Sequence, residues 1–384
     1  MSAQRWDVFC RVVDNYGDAA VCWRLARQLA AEHGLAVRLW SDDLGALHQL
    51  NPKISSEAAA QQVESVDIRQ WQALESTGAY DAPDVVIEAF GCGLPESCMQ
   101  AMVQRQPSTL WITLEYLSAE PWVSTHHGLP SPHPRLPLQR YYFFPGFEGG
   151  TGGLLREQGL LERRQALQGD AAAREHVWAA LGFAPPPAEA RVVSLFGYEN
   201  PALATLMDIW TRGDLLVAAI PPSRLRPEVA AFFGVKDPAD GTKQIRGNVE
   251  ARFIPFLPQP RYDELLWLCD WNFVRGEDSF VRAQWAARPL VWHIYPQQEG
   301  AHRAKLNAFL DRYVECMEPG LAASLRAFWQ GWNGGPPELM AGAWETLAAH
   351  GKALEDHSLA WSSKLAGMGH LAGNLVQFCR SKVE

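Results

Sequence analysis

Short apolar runs alternate with helix-compatible stretches along the chain, and this alternation restricts the fold more than any other feature. The apolar run at residues 85–87 is typical of a strand buried on both faces of a parallel sheet. A helical pattern at residues 19–33 ends at Gly34, as helices commonly do. The predicted strands of the first half are residues 6–13, 36–40, 84–90 and 110–117. Strands alternating with helices predict an α/β fold whose mostly parallel sheet is covered on both faces.

The alternation starts again after a proline-rich stretch at residues 184–187. Consecutive prolines stiffen the chain and end a preceding helix, so this stretch is predicted to be a linker. The predicted strands of the second half are residues 191–196, 215–220, 250–254, 271–274 and 290–295. Two Rossmann-like domains are therefore predicted, at residues 1–183 and 188–360, facing each other across a cleft. Ligands of such sheets bind outside the carboxyl ends of the strands.

The composition fits a globular protein of two domains, with 384 residues, 47% hydrophobic and 20% charged. A net charge of -9 argues against nucleic-acid binding, which usually needs a strongly basic face. The seven cysteines form no CxxC pair, and the sequence starts without an apolar signal core. No run approaches the roughly 18 apolar residues of a membrane span. We therefore expect a cytoplasmic protein with free thiols that binds neither nucleic acid nor a membrane.

The first candidate site is the segment from Asp14 to Asp18, between the first predicted strand and helix. Two carboxylates four residues apart, with Gly17 permitting a sharp turn, can both face the cleft. One could accept a proton from a nucleophile while the other orients it. In the alternative interpretation Asp18 only caps the helix and Asp14 only makes an Asx turn.

The second candidate site is the segment from Arg275 to Ser279, between the strand at 271–274 and a helix beginning near Phe280. A helix N-terminus and an arginine suit a diphosphate, because both offer N–H donors and positive charge. The acidic residues between them are unusual for a site that binds only phosphate, which suggests that Glu277 faces the group attached to the diphosphate or an acceptor of that group. Alternatively, Asp278 is a helix cap, and Arg275 and Glu277 form a surface ion pair.

Aromatic residues after two strands of the second half form a third candidate site. Phe196 and Tyr198 follow the first of these strands, and Phe256 and Gln259 follow a later one. Aromatic rings at strand ends can sandwich a nucleobase, and a glutamine amide can read a pyrimidine edge. Each ring could equally belong to the core.

Metal and hydrolase motifs are lacking. The chain has no Asp-x-Asp pair of the kind that holds a divalent metal in many glycosyltransferases. His126, His127 and His133 lie in a proline-rich loop without the usual ligand spacing, so metal binding is not expected there. GxSxG and P-loop motifs are also absent from the sequence.

Several longer runs resemble the EarP family, the elongation factor P arginine rhamnosyltransferases. The runs follow the family's order and span nearly the whole chain: 12–18, 22–26, 195–200, 253–259, 272–285 and 292–297. The resemblance implies a GT-B glycosyltransferase, in which the last helix, here in residues 361–384, returns to the first domain. Residues 365–378 have the pattern of that helix, although they contain glycines.

The resemblance also implies the reaction. The donor would be dTDP-β-L-rhamnose and the acceptor one arginine of elongation factor P. The transfer would invert the anomeric carbon of the sugar. The modified elongation factor P would then be active in relieving ribosome stalling at polyproline. Asp18 would be the general base, Asp14 its support and Glu277 the third functional carboxylate. The donor-binding residues would be Asn15, Tyr16, Gly17, Phe196, Tyr198, Phe256, Gln259, Arg275, Gly276, Asp278 and Ser279. No cofactor and no metal would be needed.

Three carboxylates suit this chemistry, because a charged guanidinium has a pKa above ~12 and is a poor nucleophile. Two other functions stay open at this point. A related GT-B protein, such as a sugar-nucleotide epimerase, would share the donor site but lack a protein acceptor. A non-catalytic module that binds elongation factor P would tolerate Asp18→Asn without loss of function.

Overall fold

The computed structural model describes residues 4–14, 16–72, 74, 80–296 and 300–383. The chain divides into two compact units, each built on its own sheet. The first unit comprises Met1–Gln158 together with Leu365–Glu384, and the second comprises Gly159–Lys364. The predicted two-domain α/β fold is confirmed. In the described residues, no helix has both the length and the apolar content that a membrane crossing requires.

The first unit contains an eight-stranded sheet in the order β3-β4-β2-β1-β5-β6-β8-β7. The edge strands β3 and β7 run antiparallel to their neighbours, and the other pairs are parallel. The strands are β1 Arg5–Cys10, β2 Ala36–Ser41, β3 Ala60–Val63, β4 Val66–Gln70, β5 Val85–Ala89, β6 Leu110–Leu114, β7 Pro130–Pro132 and β8 Gln139–Phe143. The helices described are α1 Gly17–His33, α2 Leu44–Leu50, α3 Glu96–Gln104 and α4 Trp122–His126.

The second unit contains a six-stranded sheet in the order β11-β12-β10-β9-β13-β14, in which only the edge strand β11 is antiparallel. The strands are β9 Arg191–Leu195, β10 Leu216–Ile220, β11 Thr242–Arg246, β12 Val249–Phe253, β13 Trp271–Arg275 and β14 Leu290–His293. The helices that precede or alternate with them are α5 Leu160–Gly169, α6 Ala171–Ala180, α7 Leu203–Arg212, α8 Arg226–Phe232, α9 Gln259–Leu268 and α10 Asp278–Ala286. The helices that follow the last strand are α11 Ala301–Tyr313, α12 Pro319–Trp332, α13 Leu339–Ala349 and α14 Gly351–Ala366.

The proline-rich stretch at 184–187 is not the boundary between the units, contrary to the sequence prediction. Residues 159–183 belong to the second unit because α5 and α6 pack on its core. Arg164 donates to the carbonyl of Trp285 at 2.9 Å, and Trp178 packs in a cluster that includes Leu265. The prolines therefore connect α6 to β9 within one unit.

The predicted helix at 365–378 is interrupted. α14 ends at Ala366, and the last helix, α15, is Leu371–Val383. Gly369 adopts φ +82°, which breaks the helical path between them. Leu371 N–H then donates to the carbonyl of Leu154 at 2.9 Å, and Asn374 donates to that of Gly152 at 3.1 Å. The last helix thus joins the first unit, as the family resemblance implied.

Candidate functional site

The segment after β1 turns sharply into α1. The carbonyl of Asp14 accepts the N–H of Gly17 at 2.7 Å, and Tyr16 is the residue that precedes the helix. Asn15, predicted to contact the donor, lies outside the described residues. The backbone of Gly17 is helical, so the glycine is not needed for an unusual turn. A β-carbon at this position would lie 3.1 Å from a carboxylate oxygen of Asp14, so a larger residue would require that side chain to shift by a few tenths of an ångström.

The carboxylate of Asp18 is buried and reaches back to the loop before its own helix. Its Oδ2 accepts the N–H groups of Val13 at 2.8 Å and of Asp14 at 3.0 Å. Tyr116, two residues after the end of β6, has a smaller influence that lowers the pKa of this carboxylate. The helix-cap interpretation of Asp18 is therefore wrong, since the carboxylate makes its bonds outside the helix.

Burial is the largest influence on the pKa of Asp18 and raises it above the ordinary value. The backbone N–H groups of Asp14 and Val13 act in the opposite direction, while the charge of Asp14 raises the pKa further. A carboxylate with a raised pKa holds a proton more readily, which suits a general base.

The turn between β13 and α10 is held by two bonds across it. The hydroxyl of Ser279 accepts the N–H of Arg275 at 3.1 Å and donates to the carbonyl of the same residue. Gly276 adopts φ +60°, a conformation that favours glycine, and its carbonyl accepts the indole N–H of Trp292 at 2.8 Å. Glu277 precedes the helix and does not cap it with its side chain. The turn therefore directs a helix N-terminus to the carboxyl end of the sheet.

Arg275 is a buried residue held by aromatic rings. Its guanidinium carbon lies 4.8 Å from the ring centre of Phe196 and 4.9 Å from that of Tyr198. Its Nη1 also donates to the hydroxyl of Tyr198 at 3.4 Å. Arg275 is therefore not a surface residue, contrary to that interpretation, and its positive charge lies beside the turn.

A hydrogen bond between Gln259 and Asp278 connects the start of α9 to the start of α10. Gln259 is the first residue of α9, and its amide nitrogen lies 3.5 Å from Oδ2 of Asp278, at the start of α10. Both side chains are buried, with 3% and 8% exposure. Phe256, just before α9, is half-buried, as is Phe196, so neither ring belongs wholly to the core.

His293, at the end of β14, is a site residue that sequence analysis missed. Its Nδ1 accepts the N–H of Tyr198 at 3.3 Å, which fixes the segment after β9. Burial, followed by the charges of Arg275 and His302, lowers the pKa of His293 to about 4, so the ring is neutral at pH 7. An ionisable residue ending an apolar strand was the available signal. Tyr116, two residues after the end of β6, carried a similar signal.

Both groups of residues lie where the strand order of their sheet reverses. In the sheet of the first unit, β2 and β4 lie on one side of β1, and β5, β6 and β8 lie on its other side. In the sheet of the second unit, β10 and β12 lie on one side of β9, and β13 and β14 lie on its other side. Such reversal points form the crevices where open α/β sheets bind ligands.

The predicted residues therefore fall into two groups. The group in the first unit follows β1 and comprises Asp14, Tyr16, Gly17 and Asp18. The group in the second unit follows β9, β12 and β13 and comprises Phe196, Tyr198, Phe256, Gln259, Arg275, Gly276, Glu277, Asp278 and Ser279. Glu277 thus lies with the predicted donor residues.

The three loop histidines have separate partners. Nδ1 of His126 lies 2.8 Å from the carbonyl of Trp122, whereas those of His127 and His133 accept the N–H groups of Phe144 and Leu136. A possible set of metal ligands occurs elsewhere among the described residues, in Glu32, His33 and His370. Nδ1 of His370 accepts the N–H of Gly373 at 3.1 Å, so this ring nitrogen already serves the start of α15.

Comparison with known proteins gives one consistent result. Residues 6–380 match the family described as "Elongation-Factor P (EF-P) rhamnosyltransferase EarP". A protein-arginine rhamnosyltransferase of Pseudomonas aeruginosa is 47% identical over 97% of this chain and 98% of its own length. Another, of Pseudomonas putida, is 46% identical over 98% of this chain and 99% of its own length.

A solved structure gives the same result at the level of the fold. It is described as the structural basis for EarP-mediated arginine glycosylation of translation elongation factor EF-P. It is 34% identical to this chain, with a TM-score of 0.69, and the alignment covers 98% of this chain and 99% of that one.

Proposed function

Because the chain belongs to the EarP family of elongation factor P rhamnosyltransferases, with the two-domain GT-B architecture, we propose that it transfers L-rhamnose to elongation factor P. The proposed donor is dTDP-β-L-rhamnose, and the proposed acceptor is one arginine side chain. The near-complete match to two protein-arginine rhamnosyltransferases favours this function over an epimerase or a non-catalytic binding module.

The single observation that carries the proposal is the environment of Asp18. Its carboxylate is 3% exposed, has a pKa raised by burial, and is held at the reversal point of the first sheet. A guanidinium nitrogen becomes nucleophilic only as it loses a proton. In the proposed reaction this nitrogen bonds to the anomeric carbon, its proton passes to Asp18, and the bond from carbon to the diphosphate oxygen breaks.

The second unit supports the donor part of the proposal. The buried Arg275 and the N-terminus of α10 offer positive charge and N–H donors to a diphosphate whose negative charge grows as it leaves. Phe196 and Phe256 are proposed to flank the thymine and Gln259 to bind its edge. Tyr16 and Gly17 are proposed to contact the donor from the first unit, with Glu277 as the third functional carboxylate.

Inversion is proposed because a single displacement needs only one base opposite the leaving group. The product would be an α-rhamnosyl arginine, and the modified elongation factor P would relieve ribosome stalling at polyproline. The seven cysteines are free, which agrees with a reducing cytoplasm as the place of reaction.

Intact-mass analysis of elongation factor P tests this function. After incubation with the protein and dTDP-β-L-rhamnose, elongation factor P should gain the mass of one deoxyhexose, located on an arginine by fragmentation. Elongation factor P with that arginine replaced by lysine is the control. Release of dTDP with an unchanged mass of elongation factor P would contradict a protein acceptor.

A further inference from the structure

Arg282, on α10, forms an almost completely buried ion pair with Asp263, on α9. Nε of Arg282 donates to Oδ1 of Asp263 at 3.0 Å, and its Nη2 donates to Oδ2 at 2.7 Å. The two residues are 1% and 4% exposed. Taking two charges out of water is costly, and replacing such a pair with apolar residues is often neutral or stabilising. The pair is therefore weak evidence for stability, whereas its two parallel hydrogen bonds fix a geometry.

This ion pair lies one helical turn beyond the hydrogen bond between Gln259 and Asp278. Asp263 follows Gln259 by one turn of α9, and Arg282 follows Asp278 by one turn of α10. Side chains one turn apart lie on the same face of a helix. The two helices are therefore connected at two successive turns along their facing sides.

The two connections differ in strength. The amide nitrogen of Gln259 lies 3.5 Å from Oδ2 of Asp278, which is longer than a usual hydrogen bond. The ion pair has two bonds of ordinary length, and both are charge-assisted. The planar fork of a guanidinium also accepts a carboxylate in few orientations. The ion pair is therefore the stiffer of the two connections.

The starts of α9 and α10 carry groups proposed to bind two different parts of dTDP. Gln259 is proposed to bind the base, whereas the N-terminus of α10 and Arg275 are proposed to bind the diphosphate. Both parts belong to one ligand, so the spacing between the two helix starts must match that ligand. Binding groups need support from residues behind them to hold such a spacing.

We propose that Asp263 and Arg282 are positioning residues for donor binding: their ion pair fixes the spacing between the starts of α9 and α10, and with it the spacing between the groups that bind the base and the diphosphate. This inference rests on the proposed function, in which these helix starts bind dTDP. The pair acts through Gln259 and the N-terminus of α10, and it needs no contact of its own with the donor.

Arg282→Lys keeps the positive charge but removes the planar fork. We expect dTDP binding to weaken about tenfold in calorimetry, because a lysine cannot form both bonds to Asp263. The KM for dTDP-β-L-rhamnose should rise, while kcat and the KM for elongation factor P should change less, since the lost interaction serves donor binding.

The double variant Asp263→Leu, Arg282→Met separates positioning from stability. It removes both charges together and leaves apolar side chains, so the melting temperature should stay close to that of the unsubstituted protein or rise. We expect dTDP affinity to fall nevertheless, because apolar contacts do not fix the spacing between the helices. A purely structural ion pair predicts the opposite result, in which the folded double variant binds dTDP with unchanged affinity.

Arg38→Lys is the matched control, in the first unit. Nε of Arg38 donates to Oδ1 of Asp7 at 3.0 Å, and its Nη2 donates to Oδ2 at 2.7 Å, so the geometry resembles that of the Arg282 pair. The substitution should lower the melting temperature and leave dTDP affinity unchanged. A loss of affinity as large as that of Arg282→Lys would overturn the proposal.

The unsubstituted protein separates the two levels of the inference. If it binds dTDP and rhamnosylates elongation factor P, while Arg282→Lys and the folded double variant keep its affinity for dTDP, only the positioning role fails. If it does not bind dTDP, the proposed function fails, and the positioning role fails with it.

Discussion

Asp18 combines burial with hydrogen bonds that act against the effect of burial, and its protonation should be visible in the kinetics. Burial raises its pKa, so the ionised form needed by a base is reached at higher pH than for an ordinary aspartate. We expect kcat to rise with pH along an acid limb above about 4, the ordinary aspartate value. Asp18→Asn should lower kcat at least a hundredfold. An acid limb at or below that value would contradict the assignment.

Arg275 makes the clearest test of the donor group. Its guanidinium is buried against Phe196 and Tyr198, beside the N-terminus of α10. Arg275→Ala should weaken dTDP binding by roughly tenfold or more in calorimetry, because a charged donor to the diphosphate is lost. Binding of elongation factor P should change less. Unchanged affinity for dTDP would refute the role of Arg275.

Most residues of the two candidate groups could be predicted from the sequence, but few of the contacts that fix their side chains could. Asp14, Asp18 and the segment from Arg275 to Ser279 could be found because charged residues follow apolar strands directly. The influence of Tyr116 on the pKa of Asp18 joins residues nearly a hundred positions apart, and nothing local in the sequence specifies it. The histidine acceptor behind Tyr198 escaped prediction for the same reason.

At the scale of elements, the turn from β13 to α10 depends on Gly276. Gly276→Ala should destabilise the second unit by about 1 kcal/mol, since a β-carbon is disfavoured at φ +60°. It should also weaken dTDP binding, because relaxation of the turn moves the N–H groups of α10.

Gly234 provides the matched control for this substitution. It has φ +73° and nothing within 4 Å of its would-be β-carbon, so Gly234→Ala imposes a similar backbone strain away from the turn. We expect the two substitutions to lower the free energy of unfolding, measured with denaturant, by similar amounts. Only Gly276→Ala should also weaken dTDP binding. Equal affinity for dTDP in the two variants would show that the turn does not contribute to donor binding.

Element prediction succeeded where strands are apolar and failed where they are polar. The five predicted strands of the second unit are present, each within about two residues of its bounds, because buried parallel strands need continuous apolar side chains. The edge strand β11 was missed, since Thr242–Arg246 is largely exposed and lacks apolar alternation. The prediction of strand 6–13 was too long because Val12 turns away to the carboxylate of Asp42.

At the scale of the whole molecule, the proposed reaction uses protein groups to stabilise the leaving dTDP. In this proposal, Arg275 and the N-terminus of α10 would supply the positive charge that a divalent ion supplies in other transferases. We therefore expect EDTA to leave the rate of rhamnosylation unchanged within about twofold. A loss of rate that Mg²⁺ restores would contradict this expectation and implicate a metal in donor binding.

The boundary between the units could not be read from the sequence. Consecutive prolines are a sound signal for a stiff connection, but they do not say which core the flanking helices join. That choice depends on contacts such as those of Arg164 with Trp285 and of Trp178 with its apolar cluster. Both contacts join residues that are far apart along the chain.

The last helix has a consequence for synthesis on the ribosome. All residues of the second unit, Gly159–Lys364, precede α15 in the chain, whereas the first unit also includes Leu365–Glu384. Amino-terminal domains usually fold first during synthesis. We expect the first unit instead to complete its fold only after α15 has been made, because Leu375 and Val376 of that helix are buried.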